Sequence, residues 1–131
     1  MKISYIAVLF LICLSFVAFQ CDEDHLNLTF DEEQAKLNVL KSQIEDLAST
    51  STCNEASECK FIGLGRKSCG GLWNYLVYST SIDTEALKSL VEIYNQKEKE
   101  FNTKWGIASD CAVTNPPTSI NCKNNVCVAV Y

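Results

Sequence analysis

From Ile3 to Phe19 the chain is apolar almost without interruption, with only Ser4 and Ser15 breaking the run and Lys2 as the single charge before it. A short basic start followed by such a run is the pattern of an export signal. A signal anchor kept in the bilayer shares it, since about 17 to 25 apolar residues suffice to span a membrane. Further along, the pattern becomes periodic. Thr29-Phe-Asp-Glu32 spells a capping box, and Leu37, Leu40, Ile44, Leu47 and Ala48 recur at steps of three and four, predicting an amphipathic helix from about Phe30 to Ser49. Asp31, Glu32 and Glu33 suit its N-terminus, and the Ser/Thr cluster from Ser49 to Thr52 ends it.

Two strands are expected next, Glu58 to Leu64 and Leu72 to Ser79, joined as a hairpin by the turn-rich Gly65-Arg-Lys-Ser-Cys-Gly-Gly71. The second strand is bulky on both sides, with Trp73, Tyr75 and Val77 on one face and Leu72, Leu76 and Tyr78 on the other, which predicts an interior strand of a packed sheet. Asp83 is an N-cap, and Leu87, Leu90, Val91, Tyr94, Phe101 and Trp105 continue one helical face to Gly106, suited to the C′ position. Ser109 to Val113, Thr118 to Lys123 and Val126 to Tyr131 read as further strands, the last two turning at Asn124-Asn125. The pattern as a whole predicts an α+β fold, two amphipathic helices on a small antiparallel sheet.

Cysteine usage sharpens this. Of eight cysteines, Cys13 lies inside the apolar run and Cys21 closes it, leaving Cys53, Cys59, Cys69, Cys111, Cys122 and Cys127. Six in a short exported domain imply three disulfides, with 15 connectivities open. Cys122 and Cys127 would face each other across the last hairpin, free to bridge each other or to staple it elsewhere. Intervening gaps of 5, 9, 41, 10 and 4 residues lack the paired short spacings of a zinc site, and no Cys-x-x-Cys is present. No metal or cofactor is expected.

Val17-Ala18-Phe19-Gln20-Cys21, followed by Asp22-Glu23-Asp24, resembles the lipobox of a bacterial lipoprotein precursor, although that family usually carries Leu or Val where this chain has Ala18 and a small residue where it has Gln20. The resemblance implies cleavage before Cys21, a lipid (diacylglyceryl and acyl chains such as palmitate) on that residue, and export to the cell envelope, with the acidic cluster resembling an outer-membrane tag. Several acyl chains give stable anchoring where one does not. The implied organisation is a signal peptide over residues 1–20, an anchor and acidic tether over 21–28, and a disulfide-braced domain over 29–131. An ordinary secreted protein is the alternative.

Charge narrows the function classes. Past position 20 the chain holds ten basic and 16 acidic side chains, which opposes nucleic-acid binding. The only histidine, His25, falls in the tether, Gly63-Leu-Gly65 is no nucleotide loop, and Asp22 and Asp24 with Leu26 do not complete a calcium loop. Asn27-Leu-Thr29 is a formal glycosylation acceptor. No catalytic residue is nominated. The expected role is a non-catalytic binding or structural domain, for which the sequence does not choose between a protein ligand, a glycan ligand and none. Two alternatives stand beside it. Arg66 and Lys67, at the tip of a disulfide-braced loop, have the general layout of a small protease inhibitor, and scattered carboxylates such as Asp110 could assemble into an envelope enzyme.

Overall fold

The computed structural model describes residues 27–131, so the signal, Cys21, His25 and the Asp22–Asp24 cluster lie outside the described residues. Helix α1 spans Phe30–Ser49 and α2 spans Thr84–Trp105. A short 3₁₀ turn, Ala56–Glu58, leads into β1, Cys59–Leu64, which pairs antiparallel with β2, Asn74–Ser79. A second antiparallel hairpin joins β3, Ser119–Lys123, to β4, Val126–Val130. The fold is α+β. No helix among the described residues is long and apolar enough to cross a membrane.

Both helices start where their caps dictate. Thr29 accepts from the Glu32 amide while the Glu32 carboxylate takes the Thr29 N–H at 2.8 Å, closing the capping box. Asp83 accepts the Ala86 amide at 2.9 Å, and Gly106 ends α2 in the left-handed conformation, with φ of 61°. Phe30 at the start of α1 packs on Phe101 and Trp105 at the end of α2, so the helices run antiparallel. Their apolar stripes, Ile44 and Ala48 from α1 and Leu87, Val91 and Tyr94 from α2, enclose one core with Leu64 and Tyr78 of the first hairpin. Burying each large aliphatic side chain there contributes about 1.5 to 3 kcal/mol.

The sheet differs from the expected one. It divides into two two-stranded ladders, and β2 is covered by packing rather than by a flanking strand on each side. Its register places Ile62 opposite Leu76 and Lys60 opposite Tyr78 on the helix side, leaving Phe61, Tyr75 and Val77 on the other. The second hairpin lies against the first, β4 beside β2 and β3 beside β1. Asn124 and Asn125 turn it, both with positive φ (52° and 62°), as a tight twisted hairpin requires. The Asn125 carbonyl accepts the Cys53 amide at 3.0 Å and its side chain donates to the Cys53 carbonyl at 3.0 Å, so the turn is pinned to the segment after α1.

Residues 109–113, expected as a strand, are irregular. Their polar groups serve the β1–β2 connection instead of a ladder.

Candidate functional site

The six cysteines form Cys53–Cys122, Cys59–Cys127 and Cys69–Cys111, with Cα separations of 6.0, 5.7 and 5.9 Å, inside the normal range for a cystine. The first two run side by side and fasten the second hairpin over the outer face of the first, bringing the sulfurs of Cys53, Cys59 and Cys127 within 4.8 Å of one another. Bonded as cystines, these sulfurs act as staples rather than thiolate ligands. The third bridge ties the β1–β2 connection to the segment after α2.

That connection is held along its whole length. Asn95 of α2 accepts the Gly65 amide at 2.6 Å and donates to the Gly63 carbonyl at 3.1 Å. One turn on, the Glu98 carboxylate accepts the Arg66 amide on one oxygen and the Tyr94 hydroxyl, at 3.0 Å, on the other. Asn102 donates to the Arg66 carbonyl at 2.7 Å. Three polar residues spaced by three and four thus give α2 a second stripe, beside the apolar one, that reads the loop backbone. The spacing of Asn95, Glu98 and Asn102 was visible in the sequence, but polar side chains flanking an apolar stripe ordinarily signal solvent. Gly65 itself has φ of +82°, and a Cβ there would meet Trp73 at 2.8 Å and Glu98 at 3.0 Å.

Lys67 corrects the expectation of an exposed basic tip. It is 6% exposed. Its ammonium donates to Asp110 at 2.7 Å and to the Ala112 carbonyl at 2.8 Å, and lies 5.1 Å from the centre of the Trp73 ring. A buried cation is tolerable only with such partners, which is why residues 109–113 follow the loop instead of forming a strand. Ser68 adds bonds to Ser109 and to the Ile107 carbonyl, and Thr114 donates to the Leu72 carbonyl at 2.9 Å. Arg66 keeps an exposed side chain, but both its backbone polar groups are engaged by α2.

The braced loop and the flank of α2 bound an open groove of about 1300 Å³. Ile62 and Leu72 contribute apolar surface, Arg66, Lys88 and Lys99 line it with cations, and Glu92 and Glu100 with carboxylates. Gln96 donates to Glu100 at 2.7 Å and Lys88 to Glu85 at 2.8 Å. The Glu85 partner raises the Lys88 pKa, keeping the ammonium charged. Asp110, the carboxylate considered for chemistry, is the counter-ion of Lys67.

Aromatic residues divide between roles. Tyr78 and Tyr94 are buried, Trp105 packs on Phe30 and Phe101, Tyr75 meets Phe61 edge-on, and Tyr131 is exposed. Compared with known proteins, the chain matches no family model, no curated protein and no solved structure.

Proposed function

We propose that this chain is an exported envelope lipoprotein, anchored through Cys21, whose domain is a non-catalytic binding module with the groove between the 65–72 connection and α2 as its binding face. The observation that supports it most is the stitching of that connection. Cys69–Cys111, the Lys67–Asp110 pair and three α2 side chains immobilise about seven residues beside an open groove. Rigidity of this kind lowers the ordering cost of binding. The polar groups nearest the loop are taken up in holding it, which favours recognition over proton transfer as the role of this face.

Amide chemical-shift mapping of the labelled protein against envelope extract from the producing cells tests the face. Perturbations confined to Arg66–Leu72 and Lys88–Thr103 are expected; perturbations confined to Val126–Val130, or none, overturn it. Palmitate labelling that persists in Cys21→Ala overturns the anchor.

A further inference from the structure

We infer that the groove receives an acidic polysaccharide, a chain of carboxylated sugars lying along α2. This rests on the binding-face reading above and names the ligand class. Among residues 27–131, five of the ten basic side chains line this one groove, against two of the 13 acidic ones, in a protein that is acidic overall. Lys67 is consumed by Asp110, but Arg66, Lys97 and Lys99 have no ion-pair partner among the described residues, and Lys88 holds only an exposed one. A local cationic concentration on an anionic surface steers and holds an anion. Lys88 and Lys99 share a flank of α2 and stand about 16 Å apart at ~1.5 Å per residue, which suits an elongated ligand.

The remaining lining separates a glycan from an acidic peptide. Glu92 and Glu100 can only accept hydrogen bonds when ionised, so they repel a peptide whose side chains are all carboxylates. A uronate chain presents hydroxyl donors between its carboxylates, satisfying the cations and the acidic residues together. Ile62 and Leu72 offer apolar surface to the C–H faces of the rings.

The test is titration calorimetry of the full chain with polygalacturonate, with poly-L-glutamate and phosphatidylglycerol vesicles as comparison probes. Polygalacturonate should bind, more weakly as salt rises, and most tightly of the three. The exposed pair Arg66→Ala with Lys99→Ala, checked for fold by circular dichroism, should weaken binding roughly tenfold, the effect of removing two surface charge contacts at low salt. Glu92→Lys should also weaken it, whereas unspecific charge attraction would be strengthened. No binding of polygalacturonate, or equal binding of poly-L-glutamate, overturns the ligand class. If either comparison probe binds best and loses affinity in the double variant, the class fails while the groove stands as the binding face. If polygalacturonate binds the double variant as it binds the wild type, both fail.

Discussion

Cys122 and Cys127 sit directly opposite each other across the second hairpin, yet each bonds elsewhere, Cys122 to Cys53 and Cys127 to Cys59. A bridge between them would only have reinforced a turn that its two asparagines already fix. Used outward, the pair fastens an otherwise marginal two-stranded ribbon to the rest of the domain.

Removing Cys69–Cys111 by paired serine substitution should cost roughly 2 to 4 kcal/mol in urea unfolding, and amide exchange should accelerate in Arg66–Leu72 before it does in α2. Removing Cys53–Cys122 should cost a similar amount but loosen the second hairpin. Equal exchange everywhere in both variants would contradict this division.

Asp110→Ala should be more damaging than Lys67→Met, although Asp110 is the exposed partner, its side chain 70% accessible against 5% for Lys67. Losing the carboxylate leaves a buried ammonium with only the Ala112 carbonyl and the Trp73 ring, a loss of about 1 to 3 kcal/mol. Methionine keeps much of the stem packed under Trp73 and leaves the carboxylate in water. Unfolding free energies of the two variants in the same buffer decide the order.

Gly65→Ala should destabilise by about 1 to 3 kcal/mol, because the left-handed backbone and the contacts to Trp73 and Glu98 both oppose a methyl group. Gly70→Ala shares the positive φ but meets no atoms, so it should cost less. The comparison separates close approach from backbone strain.

Stability should fall on both sides of neutrality for identifiable reasons. Bonds from Lys104, then from the Trp105 indole, hold the Glu33 carboxyl below its ordinary value, and the Thr29 amide does the same for Glu32. A folded value below the unfolded one stabilises above the ordinary carboxylate range and is lost as pH falls through the folded value. Tyr94 is shifted up, mainly by burial and then by Glu98, so its contribution persists to about pH 10 and is lost as the unfolded phenol ionises. Thermal melts across pH should show both limbs, the acid one shallower in Glu33→Gln and the alkaline one shallower in Tyr94→Phe.

Local signals made most of the fold legible. The Thr29–Glu32 box, Asp83, Gly106 and the paired asparagines determine their elements through bonds within a few residues, so the helices and the last hairpin followed from sequence. The Lys67 environment did not, because its partners Asp110 and Ala112 lie more than 40 residues away and Lys67 in a glycine-rich loop reads as solvated. The same distance hid the irregular course of residues 109–113, where Asp110 and Ala112 serve that lysine and Ser109 serves Ser68. Cysteine number announced three bridges, while their pairing depended on how the hairpins stack.

The connectivity also bears on how the chain is made. Each bridge joins one of the three earlier cysteines, Cys53, Cys59 or Cys69, to one of the three later ones, Cys111, Cys122 or Cys127, and all of α2 lies between. A chain threaded into an oxidising compartment from its N-terminus exposes three thiols before any native partner has arrived. Every bond open to them at that stage is wrong, and Cys122 and Cys127 follow only after all of α2 and the segment behind it. For a chain exported as proposed, native pairing depends on thiol–disulfide exchange, and yield should track the supply of a disulfide isomerase more closely than the supply of oxidant.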